Sequence, residues 1–238
     1  MKMIDKAEQY SFLEPIERGS RGRTTEQVER SLRAAIVALD FAPGEFIDKG
    51  LVCARLGVSR FPVSEALARL AAEGLAEILP QRGTRAARIR LAEVEESMLI
   101  RKALEAMVAE TAARRLRSST LSALKRNLQA QEAAAERSDR AGFHSLDLAF
   151  HAILVDSLEM PRVAAVIEAS RANIDRVRQL LSSPRRHAVT LAEHRNLLAA
   201  LEARDAEAAR RAMEVHLEAV MDELERFSAD HPEVFAPQ

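Results

Sequence analysis

The chain is poor in the residues that staple or punctuate a fold. A single cysteine, Cys53, excludes an intramolecular disulfide framework and suits a reducing compartment. Only eight glycines, eight prolines, one tyrosine and no tryptophan stand among abundant Ala and Leu, which argues against a large β-sandwich and for a mainly α protein. No stretch approaches the ~18 uninterrupted apolar residues of a membrane span. The opening MKMIDKAEQYSFLEP also lacks the apolar block of a secretory signal. The expectation is a cytoplasmic protein with no membrane partner. Net charge is almost absent too, at −1, but the balance conceals a division. The first 90 residues carry 15 Lys and Arg against 12 Asp and Glu, and the remainder 20 against 24, so a basic segment precedes an acidic one. The 238 residues, 47% of them hydrophobic, can fill one large core or two modest ones.

Residues 1–24 mix charge, Pro15 and the basic patch Arg18, Arg21 and Arg23 without a period, and read as a flexible N-terminal arm. Thr24 or Thr25 can then cap a helix carrying Val28, Leu32, Ala35, Ile36 and Leu39 at helical spacing, ended by Ala42-Pro43-Gly44-Glu45. A helix from Lys49 to Leu56, the turn Gly57-Val58-Ser59 and a helix from about Pro62 to Glu73 follow, with Ser59 placed as N-cap and Gly74 at C′. Leu75 to Leu79 and Thr84 to Ile89 flank Pro80-Gln81-Arg82-Gly83 as a small β-hairpin. The sum over residues 25–90 is a winged helix-turn-helix. Cys53 reads as a buried hydrophobe.

A recognition helix offers its first side chains to base edges and its dipole to phosphates. Here those side chains are Ser59, Arg60, Phe61 and Ser64, with Glu65 and Arg69 further along. Arg60 is the strongest base reader, because a guanidinium can bond guanine bidentately, worth ~1–3 kcal/mol of discrimination. Arg82, Arg85, Arg88 and Arg90 place positive charge where a wing approaches phosphates. The run APGEFIDKGLVCARLGVSRFPVSEALARLAAEGLAEILPQRGTRAARI resembles the winged-helix domain of the GntR family of bacterial transcription regulators. The family pattern runs PG, LA, LGVSR-PVREAL-RL, EGL and RG. The resemblance implies double-stranded DNA as partner, with contacts at Ser59, Arg60, Arg82 and Gly83. Ser64 stands where the pattern usually has Arg, so one expected base or phosphate contact is absent and the operator sequence cannot be borrowed from relatives.

Beyond Leu91 the texture becomes long amphipathic helices, placed at about 92–117, 120–138, 140–158, 161–182, 184–203 and 205–228. Their short breaks predict an all-α antiparallel bundle over 91–228, followed by a tail at 229–238. Polar residues interrupt its apolar stripes. Asp147 and His151, four apart, share a face with Phe143, Phe150, Leu154 and Leu158; His194 shares one with Leu191, Leu198 and Leu201; His216 shares one with Met213, Leu217, Val220 and Leu224. Burying such groups is costly unless they pair or ligate a metal. From the residues alone, hydrogen-bonded core histidines and a divalent metal site (Zn, Ni, Fe or Mn) both remain open. Arg101 and Glu105 share the inner face of the first bundle helix, where Arg101 can hold a ligand carboxylate or pair with Glu105. His144 and His187 are rival ligands, and His231 belongs to the solvated tail.

The runs IRKALEAMVAETAARRL, DLAFHAIL and EHRNLLAALEARDAEAARRAMEVHL resemble the FCD ligand-binding domain of the FadR subfamily of GntR regulators, over about 95–222. The family's Asp-x-x-x-His followed by two later histidines falls on Asp147, His151, His194 and His216, and implies a metal there. A Gly-Asn frequent after the third helix is replaced by Leu158-Glu159-Met160-Pro161, which leaves the effector's identity open. The expected protein is a homodimeric regulator on a palindromic operator, a repressor released by a small organic acid. Two other readings stand beside it: a metal-dependent enzyme acting on a small carboxylate, and a helical interaction module with structural histidines.

Overall fold

Val28, Leu32, Ala35 and Ile36 are buried on one face of α1 (Arg21–Val37), which packs on α3 (Arg60–Ala72) against Val63, Ala66, Leu67 and Leu70. The structure is a computed structural model that describes residues 10–16 and 21–237, with backbone alone for residues 21 and 22. Arg18 and the first nine residues lie outside that range. The helix starts earlier than the expected cap at Thr24 or Thr25. Thr25 is buried inside it and its hydroxyl donates to Glu65 of α3 at 3.4 Å, so it docks one helix on another instead of ending one.

Between them lies α2 (Lys49–Leu56), capped by Asp48, whose carboxylate accepts from the Gly50 and Leu51 N–H groups at 2.7 and 3.1 Å. It stops at Gly57, where φ of 69° favours a residue without Cβ. Ser59 does occupy the N-cap of α3, but its side chain makes no capping bond and α3 begins at Arg60, not Pro62. The wing is β1 (Ala76–Leu79) paired antiparallel with β2 (Gly83–Ala86), both shorter than expected, with Ala76 opposite Ala86 and Leu79 opposite Gly83. Cys53 is half-buried, not enclosed.

Two segments read as loose ends are part of this unit. In residues 10–16, Tyr10 and Leu13 are buried; the Tyr10 ring meets Phe41 edge-on at 4.9 Å, and its hydroxyl accepts from Asp48 N at 3.1 Å. At the other end, Pro232–Val234 forms a 3-10 turn and Phe235 is buried, with Ile89 N donating to Val234 and Ala236 N donating to Ile89. The described residues up to 91 and from 231 onward thus form one compact unit, and 92–230 form another. The apolar side chains of Leu13 and Phe235 supply the reason: burying each stabilises by roughly 2 kcal/mol, enough to draw a short terminal segment onto a core.

The second unit holds α4 (Leu91–Arg115), α5 (Ser118–Glu136), α6 (Arg140–Asp156), α7 (Pro161–Ala169), α8 (Ala172–Leu180), α9 (Pro184–Glu202) and α10 (Ala206–Asp230). In it, α5 packs on α6 and α9, and α9 on α10. The single helix expected over 161–182 is two. Ser170 turns its hydroxyl back to the Ile167 carbonyl at 2.8 Å and closes α7, after which α8 buries Ile174, Asp175, Arg176 and Val177. Among the described residues no helix is long and apolar enough to cross a membrane.

Candidate metal centre

Helices α6, α9 and α10 turn Asp147, His151, His194 and His216 to one buried point, and one ligand atom from each lies within 4.8 Å of the others. Each imidazole is oriented from behind. His151 Nδ1 donates to Glu105 at 2.5 Å, and Glu105, an acceptor, therefore fixes the proton on that nitrogen. His194 Nδ1 donates to the Gln131 side-chain oxygen at 3.0 Å; the Gln131 amide nitrogen is turned to Asn127 Oδ1 at 2.7 Å and the Leu146 carbonyl at 3.5 Å, which sets the orientation. His216 Nδ1 donates to Glu193 at 2.8 Å. All three rings thereby present an Nε2 lone pair inward, as metal-ligating histidines backed by carboxylate or amide oxygens do.

Those nitrogens are unevenly served by the protein itself. His151 and His216 set Nε2 against Nε2 at 3.1 Å, and the Arg178 guanidinium reaches His216 Nε2 at 3.3 Å. His194 Nε2 is buried with no hydrogen-bond partner among the described residues, 3.6 Å from Asp147 Oδ1. Burial holds the His194 and His216 pKa values well below the ordinary imidazole value, each reinforced by neighbouring cationic groups, so both rings are neutral. Burial opposes charge on Asp147 as well, but the Arg178 guanidinium keeps its carboxyl well below the usual carboxylate range. Three imidazoles and one carboxylate are a fitting donor set for Zn²⁺ or a neighbouring divalent ion, with coordination positions left for a ligand.

The arginines around the cluster have distinct roles. Arg101 is fully buried; its Nε donates to Glu105 at 2.5 Å, while Nη1 and Nη2 have no hydrogen-bond partner among the described residues. It lines a cavity with His151, Asp156, Glu168 and Arg171. Arg178 of α8, which the sequence reading missed, pairs with Asp147. Burial pushes Glu193 up to about 7 despite the Arg186 guanidinium at 2.8 Å. His144 and His187 do not join the cluster. They line a neighbouring cavity with Phe143, Asp147, Arg178 and Arg186, His187 stacked on Phe143 at 4.0 Å and bonded to Ser182. Gln131 and Glu193 were also missed, although Gln131 interrupts the buried face of α5 as the histidines interrupt theirs.

In the other unit, Ser59, Arg60, Phe61 and Ser64 are exposed along the start of α3, and Arg82 and Gly83 are exposed at the wing turn. Gly83 has φ of 114°, which a side chain would strain. Arg69 is exposed as well, and binds Glu65 at 2.8 Å and Glu29 of α1 at 3.4 Å. Arg85 is likewise engaged, by Glu77 across the hairpin.

Residues 24–85 match the family model for bacterial regulatory proteins of the gntR family, and residues 96–219 match that of the FCD domain. The chain belongs to the gntR family. The HTH-type transcriptional repressor RspR of Escherichia coli (strain K12) is 34% identical to it over 217 residues, 90% of this chain and 94% of that one. Among solved structures, E. coli McbR/YncC shares the fold at a TM-score of 0.74, with 24% identity over 86% of this chain and 98% of that one. A GntR regulator from Rhodococcus sp. RHA1 does so at 0.73, with 25% identity over 85% and 98%. This gntR protein is a transcription regulator with an FCD domain, and its relatives are regulators, not enzymes.

Proposed function

We propose that this gntR regulator is a repressor that binds a palindromic double-stranded operator as a homodimer and is released by a small organic acid held at the His/Asp cluster. Three Nε2 lone pairs, each directed inward by a bond at Nδ1, carry the metal assignment, with Asp147, His151, His194 and His216 as ligands. A divalent ion there, Zn²⁺, Ni²⁺, Fe²⁺ or Mn²⁺, would offer an open Lewis-acidic position to a carboxylate. Arg101 suits the other end of such a ligand: Glu105 anchors its Nε, leaving the two Nη groups for a bidentate bond. Ser59, Arg60, Ser64, Arg82 and Gly83 supply the DNA surface, and a regulator working on chromosomal DNA works in the cytoplasm. Membership of the FadR subfamily accords with the FCD match. The ligand alters DNA affinity only as far as it prefers one arrangement of the dimer, by ~1–3 kcal/mol in typical regulators.

Paired variants test the two halves. His194→Ala is expected to abolish metal uptake, read by elemental analysis, with DNA binding to an operator selected in vitro retained. Arg60→Ala is expected to weaken operator binding about tenfold or more with metal content unchanged. Stoichiometric metal in His194→Ala refutes the ligand set, and absence of metal from the metal-reconstituted wild type favours structural histidines.

A further inference from the structure

Glu105, Gln131 and Glu193 hold the outward nitrogens of the three histidines, but the partner of Asp147 reaches inward. The Arg178 side chain is 9% exposed; its Nη1 donates to Asp147 Oδ2 and its Nη2 lies 3.3 Å from His216 Nε2. The bond to Asp147 leaves Oδ1 facing His194. The contact with His216 differs in kind, because it engages the nitrogen that a metal would need. A ring nitrogen has one lone pair, and it cannot serve a guanidinium N–H and a metal ion together. The fixed positive charge of the guanidinium, beside two of the four ligands, opposes a second cation further.

Resting on the metal site proposed above, we propose that Arg178 is a resident competitor for that site: a divalent ion ligated by His216 must first displace the Arg178 guanidinium. Ion loading and release of this α8 side chain are then one linked event. The released group has a place to go, since Arg178 also lines the cavity shared by Phe143, His144, Arg186 and His187.

Zn²⁺ titration against a chromophoric chelator, on the full chain and its Arg178→Gln and His194→Ala variants, tests this. Wild type is expected to bind one ion, His194→Ala none, and Arg178→Gln about tenfold or more tightly than wild type, because a like charge has been removed from the site. No binding by wild type would remove the metal site and this inference together. Binding by wild type with equal or weaker binding by Arg178→Gln would overturn the inference alone, leaving Arg178 as a support for Asp147. If Arg178→Gln fails to fold by circular dichroism, a crystal structure of the Zn²⁺-loaded wild type decides: Arg178 withdrawn from His216 Nε2 supports displacement, and the contact retained overturns it.

Discussion

Gln131 carries more than its single contact to His194 suggests. It is fully buried, and by accepting from Nδ1 it determines which nitrogen of His194 faces the cluster. Replacing it by Leu keeps the size but removes the acceptor. Gln131→Leu is expected to lower metal affinity about 10–100-fold and to destabilise the domain by roughly 1–3 kcal/mol, the cost of an unsatisfied buried N–H. Chelator competition and urea unfolding check the two effects; affinity within twofold of wild type would show that the tautomer is set elsewhere. The cluster was legible because Asp147, His151, His194 and His216 each break an apolar stripe at a definite helical phase. Gln131 was legible by that same rule. Arg178 was not: an arginine four residues after Ile174 reads as a solvated charge until Asp147 is known to face it.

At the scale of elements, α1 and α3 are tied by charge at their rim as well as by their apolar faces. Arg33 reaches Glu73 with two bonds, at 2.5 and 2.7 Å, and hydrogen bonding to Arg33 lowers the Glu73 pKa. A carboxylate with a lowered folded pKa adds stability above its unfolded value, near 4.5, and loses it as pH falls through the folded value. Glu73→Gln should therefore cost stability at neutral pH, by under about 1 kcal/mol because the pair is exposed. The difference from wild type should vanish in acid; thermal melts at pH 7 and pH 3 check it, and a constant gap would exclude the charged pair as its source. Helix and hairpin existence followed from periodicity and turn residues. The boundaries followed less well, because Thr25 and Ser170 use their hydroxyls for docking and closure instead of the capping their residue type suggests.

For the whole molecule, the informative feature is that the last residues pair with Ile89. Composition gave no sign of this, since a polar tail with one aromatic reads as solvated until a partner edge is known. Deleting residues 231–238 exposes Ile89 and removes the buried ring of Phe235, worth about 2–3 kcal/mol. The truncated chain is expected to lose thermal stability in its DNA-binding unit and retain Zn²⁺ affinity in the helical one; an unchanged melting profile would show that the closure contributes nothing. This arrangement also bears on synthesis. The DNA-binding unit is begun first in synthesis yet is closed by residues from 231 onward, so it cannot close until the intervening helical unit has been made. Chains interrupted during translation would carry the reading helix in an unfinished domain and compete poorly for the operator.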